Sequence, residues 1–288
     1  MSTLRLEQGD RSEEDFTARE FPMTQSDFDD IKRIAYSRTG IKLTDQKKTM
    51  IYGRLSRRLR ALGMADFSEY CAEIKQENSA ELLHFTNAIT TNLTAFFREV
   101  HHFDYMKSTL IPELIKKNQH SRRIRFWSAG CSTGEEPYSI AMVLSEFPEL
   151  RTWDVKILAT DLDSNVVGKA KSATYRTDRI EKVPADYEKY FQSDPSKDEV
   201  KIHKKAADLI TFKQLNLLHQ WPMKGKFDVI FCRNVVIYFD AATQRTLFDR
   251  YANILSDDSH LFIGHSESLN GISDRFSLVG KTMYRKQA

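Results

Sequence analysis

The chain has 288 residues with 41% apolar and 29% charged content, enough for two domains and ordinary for a globular protein. No stretch approaches the ~18 uninterrupted apolar residues of a membrane span, and the charged start, MSTLRLEQGDRSEEDFTARE, lacks the apolar segment of a secretory signal. Cys71, Cys131 and Cys232 have neither disulfide-framework nor metal-ligand spacing, so a reduced, cytoplasmic protein without a metal is expected.

Residues 1–24 read as a flexible tail, and residues 25–90 as a small helical domain. Ser26 is placed to cap a helix bearing Phe28, Ile31, Ile34 and Ala35. Asp45 is placed to cap a second, with Ile51, Leu55, Leu59 and Leu62 on one stripe and Gly63 past its end. Asp66 with Glu69 three residues on is capping-box-like and opens a third, and a fourth begins near Ser79. The absence of glycine between Gly63 and Gly130 predicts continuous helix, with residues 91–122 as connector helices. Between Ile31 and Met64 stand ten Lys or Arg and one acid, Asp45, although the net charge of the chain is only +3. That excess implies an anionic partner or a heavily solvated face.

From Arg123 the pattern alternates. Strands are expected at Ile124–Ser128, Val155–Thr160, Leu209–Phe212, Phe227–Cys232 and His260–Gly264, and one antiparallel strand over Phe276–Arg285. Helices follow Pro137, Asp163 and Ala241. The expectation is an α/β domain over 123–288 with a mainly parallel sheet, interrupted by a charged insertion at about 174–208.

Within it, Gly130-Cys131-Ser132-Thr133-Gly134 has the G-x-S-x-G form of a hydrolase nucleophile elbow. Such an elbow follows several strands and needs an upstream oxyanion loop. Here it would sit on the first strand, behind a helical region with no glycine-rich loop. A nucleotide cradle fits better: a small-residue loop ends the first strand, and Asp161 ends the second, placed to hold ribose hydroxyls. The complete G-x-G-x-x-G of a dinucleotide enzyme is missing. A tight strand-to-helix turn with a capping acid remains the plain structural alternative, and Ser132 is read as loop, not nucleophile.

The motifs TTNLTAFFRE (Thr90–Glu99), WSAGCSTGEEPYSIA (Trp127–Ala141), ATDLD (Ala159–Asp163), NLL (Asn216–Leu218) and FCRNVVIYFD (Phe231–Asp240) together resemble the CheR family of chemotaxis receptor methyltransferases. GRLSRRLRALG (Gly53–Gly63) and GHSES (Gly264–Ser268) extend the resemblance from about residue 25 to the carboxyl terminus. It implies a Rossmann-like S-adenosylmethionine-dependent methyltransferase domain, a small N-terminal all-α domain and an inserted small β-subdomain. The implied activity is esterification of receptor glutamates, with S-adenosylhomocysteine as product.

By that resemblance Asn92, Thr94, Arg98, Gly130, Glu136, Asp161, Asn216, Leu217, Arg233 and Asn234 are cofactor residues, and Arg98 and Tyr238 face the chemistry. Glu136 is chosen over Glu135, since both suit the first turn of a helix. Arg54, Arg57, Arg58 and Arg60 are the expected receptor-docking residues. The expected partners are the cytoplasmic helices of chemotaxis receptors, with a receptor carboxyl-terminal peptide as a candidate for the β-subdomain, and the protein is expected to be a monomer. A nucleic-acid methyltransferase using the same basic face is the alternative, disfavoured because only Tyr36 and Tyr52 interleave the charges.

Overall fold

The computed structural model describes residues 15–194 and 196–287. The chain divides into two compact units: one takes the chain up to Ala35 together with Leu43–Ala88, the other Tyr36–Lys42 with Ile89–Ala288.

The first unit is built on helices α1 (Gln25–Thr39, whose last turn belongs to the second unit), α2 (Lys48–Leu62), α3 (Phe67–Lys75) and α4 (Glu81–Ile89). Phe28, Ile31, Leu55, Leu59, Phe67, Tyr70 and Phe85 fill its core. α1 is capped by Thr24 rather than Ser26: the Thr24 hydroxyl accepts the Asp27 N–H at 3.1 Å, and the Asp27 carboxylate accepts the Thr24 N–H at 2.8 Å. Asp45 does not cap α2; it opens the 3₁₀ turn Asp45–Lys47, and its carboxylate takes Lys32 at 3.0 Å. Asp66 caps α3 as expected, accepting the Glu69 N–H at 2.9 Å, and Gly63 ends α2 in the left-handed region at φ +69°. The expected tail lies outside the described residues as far as residue 14. From Asp15 it is packed: Phe16, Phe21 and Met23 are buried, and the Phe21 N–H donates to the Tyr52 hydroxyl at 3.1 Å. The apolar residues spaced through this segment bury enough surface to hold it down.

In the second unit the expected continuous helix is broken. Thr90–Val100 is a non-helical strap; α5 (His101–Tyr105) and α6 (Ile111–Lys117) follow, joined by the π-turn Met106–Leu110. Phe97 and Glu99 adopt φ +51° and +58°, so a chain without glycine turns here nonetheless, at a local backbone cost.

A seven-stranded sheet then forms from β1 (Arg123–Ala129), β2 (Asp154–Asp161), β6 (Ile210–Gln214), β7 (Phe227–Cys232), β8 (Leu255–Ile263), β9 (Phe276–Gly280) and β10 (Met283–Lys286), in the order β6-β2-β1-β7-β8-β10-β9. Five strands run parallel, and β10 pairs antiparallel with β8 and β9. The closing segment is therefore a hairpin, not one strand: the chain reverses after Gly280, with Thr282 at φ +55°. β7 is buried at every position, as a central strand covered on both faces must be. Helices α7 (Glu135–Ser145) and α8 (Ser164–Ser172) pack on β2 and β6, and α10 (Ala241–Ile254) packs on β8. A separate three-stranded antiparallel sheet, β3 (Thr174–Arg176), β5 (Glu199–Ile202) and β4 (Phe191–Asp194), lies within the expected insertion, followed by the short α9 (Lys204–Ala207). Among the described residues no helix is long and apolar enough to cross a membrane.

Candidate functional site

Parallel strands that part on either side of a sheet leave a crevice at their carboxyl ends. Here that crevice is a cleft enclosing about 680 Å³ of space, its open mouth included. Its walls come from the ends of β1, β2, β6 and β7, from the strap, and from Thr39 at the end of α1 and Ile41 just after it, all of them in the second unit.

The β1–α7 loop needs Gly130. It stands at φ +107°, and a Cβ there would lie 2.3 Å from a methyl of Val235, so the backbone approaches the next strand end as no side chain permits. Ser132 follows at φ +48°. Its N–H donates to the Asp161 carboxylate at 2.8 Å and its hydroxyl to the Asn92 carbonyl at 2.9 Å. The hydroxyl is thus a brace between loop and strap, its proton given to a backbone carbonyl and not to a base, so the hydrolase reading finds no support.

Asp161 ends β2, lines the cleft and is buried. Besides Ser132 it accepts the Asp163 N–H at 3.0 Å. Burial nevertheless pushes its carboxyl up to about 6 against the pull of these bonds. Asp163 caps α8 and takes Asn92 Nδ2 at 2.7 Å and the Thr90 hydroxyl at 2.9 Å, which pins the strap to the end of β2. Asn216 donates to the Arg38 carbonyl at 2.8 Å, while its own side-chain oxygen accepts the Leu218 N–H at 2.9 Å.

Asn92, Gly130, Asp161, Asn216, Leu217, Asn234 and Tyr238 come together around this cleft. Thr94, Arg98, Glu136 and Arg233 do not line it; the last three form an adjoining network. Arg233, buried at the end of β7, reaches Glu136 at 3.1 Å and Glu99 at 3.3 Å and donates to the Arg98 carbonyl. Glu136 also accepts the Ser128 hydroxyl at 2.7 Å, and burial raises its carboxyl above the ordinary range despite the guanidinium. In Glu99 burial pushes upward, but Arg233 and His265 prevail and hold the carboxyl at about 2. Arg98 donates to the Leu93 carbonyl at 2.8 Å, and the Thr94 carbonyl accepts Arg179 at 2.8 Å. Glu135 is engaged instead with the Thr133 hydroxyl at 2.6 Å and with Arg179.

Thr39, Ile41, Val235 and Phe239 were missing from the expected set. One signal stood in the sequence: Gly40, at φ +71°, admits Leu218 and Phe239 where a Cβ would lie 2.4 Å from Leu218, so the end of α1 packs on the cleft wall.

The basic residues of α2 divide. Arg58 forms a two-point pair with the buried Glu81, at 2.8 and 2.7 Å, and the Tyr70 hydroxyl joins the same carboxylate at 3.0 Å. That arrangement belongs to the interior of the first unit. Arg54 donates to the Ala88 carbonyl at 3.0 Å, Arg60 pairs with Glu20 at the surface, and Arg57 is exposed.

Residues 26–90 match the model of the CheR methyltransferase all-alpha domain, and residues 92–285 that of the CheR methyltransferase SAM binding domain. A probable chemotaxis protein methyltransferase of Rhizobium etli is 42% identical, the match covering 87% of this chain and 96% of the relative. The chemotaxis protein methyltransferase of Salmonella typhimurium is 41% identical over 91% of this chain and 90% of its own, and that of Escherichia coli 40% identical over 91% of both.

Proposed function

The chain belongs to the CheR methyltransferase family, and from that membership and the chemistry of its cleft we propose that it transfers a methyl group from S-adenosylmethionine to glutamate side chains on the cytoplasmic region of chemotaxis receptors. The observation that carries the reading is the cleft at the ends of β1, β2 and β7, where a glycine-cradled loop faces a buried carboxylate.

The residues present fit an adenosyl cofactor. Asp161 would offer its carboxylate to the ribose hydroxyls, and Asn216 and Leu217, which line the same cleft, would flank the adenine. Glu136 would take the methionyl ammonium from beside the cleft, and Asn92, Thr94, Arg98, Arg233 and Asn234 would shape the rest. Buried carboxylates outnumber guanidinium groups here, which favours a ligand carrying positive charge. When bound, S-adenosylmethionine supplies a methyl group already activated on a sulfonium.

A receptor glutamate is anionic at neutral pH, so no general base is required. What remains for the protein is alignment and exclusion of water. Arg98 and Tyr238 hold the incoming carboxylate, through a charge-assisted and a phenolic hydrogen bond. Arg54, Arg57 and Arg60 dock the receptor, whereas Arg58 serves the fold of its own unit. The β-subdomain is the candidate seat for a receptor peptide, which would add a strand to β4, an edge of its sheet. Work as a monomer belongs to the same reading.

Calorimetry tests the cofactor assignment. One S-adenosylmethionine or S-adenosylhomocysteine per chain is expected, without NAD binding; tight NAD binding with no adenosyl binding would overturn it.

A further inference from the structure

The motif Gly264–Ser268 has no part in the reading above, yet its acid is buried. Glu267 is 6% exposed. One carboxylate oxygen accepts the N–H groups of Gly264 at 2.6 Å and Asn234 at 3.0 Å; the other accepts those of Val236 at 2.9 Å and Ile237 at 3.3 Å. Three of these four donors belong to Asn234–Tyr238, the segment that leaves β7 and closes one wall of the cleft. That segment has little stability of its own. Asn234 is left-handed at φ +58°, and Val236–Tyr238 is a single 3₁₀ turn. Its carbonyls are held from the other side: Gln244 donates to Val236 at 2.9 Å, and the Lys42 N–H to Tyr238 at 3.0 Å. Glycine at 264 lets the two strand ends meet, since a Cβ there would lie 2.5 Å from Asn234 Nδ2 and 2.8 Å from its backbone nitrogen.

We propose that Glu267 is a positioning residue for methyl transfer: its carboxylate gathers the N–H groups of Asn234–Tyr238 and so sets Asn234 and Tyr238 at the face where the methyl group passes. The inference rests on the roles given above to those two residues. Only a carboxylate suits the site, because four donors converge on two acceptor oxygens. An amide would turn its own NH₂ against two of them.

Glu267→Gln in the full chain is the test, with Asp228→Asn as its comparison. Asp228 is equally buried on β7 but away from the cleft, accepting the Arg125 N–H at 2.8 Å and Asn118 at 3.2 Å. Glu267→Gln lowers kcat by roughly ten- to a hundredfold while the KM for receptor stays within about twofold, as expected of a displaced catalytic segment. Asp228→Asn lowers the melting temperature but leaves kcat unchanged. Tyr238→Phe and Glu267→Gln combined are about as slow as the slower single variant, because both act through one segment. Unchanged kcat in Glu267→Gln, an equal loss in Asp228→Asn, or multiplying effects would overturn the proposal. If Tyr238→Phe alone leaves kcat intact, the role of Tyr238 fails; Glu267 is then judged on adenosyl affinity, which weakens if it holds Asn234 and stays the same if it does not. Should Glu267→Gln not fold, Gly264→Ala displaces the same segment through Asn234, and an undiminished kcat there refutes the proposal.

Discussion

Asp161→Asn separates the demands of binding from those of folding. In the wild type this carboxyl is raised to about 6 by burial. With that value it is about 90% ionised at pH 7 and about 10% at pH 5. If only the ionised form accepts the ribose hydroxyls, adenosyl affinity falls about tenfold between those two pH values. For folding the sign is opposite. A carboxyl raised above its ordinary 3.8 favours the folded state below that value and loses this contribution as pH rises through about 6. Weaker binding at pH 5 is therefore not an effect of Asp161 on stability. Asparagine keeps the size but loses the charge, and a hydrogen bond to a charged group contributes about 1.5–3 kcal/mol, so affinity at pH 7 falls roughly ten- to 150-fold. The variant's residual affinity loses the wild-type step near pH 6. Calorimetry with S-adenosylhomocysteine from pH 5 to 8 on both proteins gives the answer. A flat wild-type profile, or an asparagine variant within a few-fold of wild type at pH 7, would refute the role assigned to this carboxylate.

Ser132→Ala removes the bond to the Asn92 carbonyl, about 1 kcal/mol, so turnover persists and adenosyl affinity drops no more than a few-fold; initial methylation rates check this, and a loss of orders of magnitude would restore the nucleophile. Arg233→Met leaves the buried Glu136 and the partly buried Glu99 without their shared cation, and denaturant unfolding records a loss of about 3–5 kcal/mol. Replacing Arg54, Arg57 and Arg60 together by alanine changes adenosyl affinity little and raises the KM for receptor, and the wild-type rate falls as salt increases. Loss of adenosyl binding in that variant, with its fold intact, would contradict the division of labour between the two units.

Much of this molecule was legible because local chemistry and tertiary structure agree. Asp66 and Gly63 delimit their helices by capping groups that need no distant partner. Phe227–Cys232 reads as a strand because it is apolar apart from Asp228 and buried throughout. Asp161 was found by its place after a strand. What escaped notice depends on contacts far along the chain. The strap Thr90–Val100 contains no breaker residue; it is held out of helix by Asp163, Ser132 and Arg233, which lie far downstream in sequence. Thr39 and Ile41 read as the end of a helix in another domain, and only the fit of Gly40 against Leu218 and Phe239 brings them to the cleft. Arg58 looked like its neighbours on α2 because the acid that claims it, Glu81, lies two helices away. Glu267 stood in a recognisable motif, but a carboxylate that serves backbone N–H groups leaves no mark in the composition around it.

The most direct test of the methyltransferase reading follows the methyl group itself. The protein is incubated with methyl-labelled S-adenosylmethionine and receptor-bearing membranes, and separately with total RNA and DNA. Label is expected on the receptor, released by mild alkali as methanol, the signature of a glutamate ester, with none on nucleic acid. Label that survives alkali and follows RNA or DNA would contradict it.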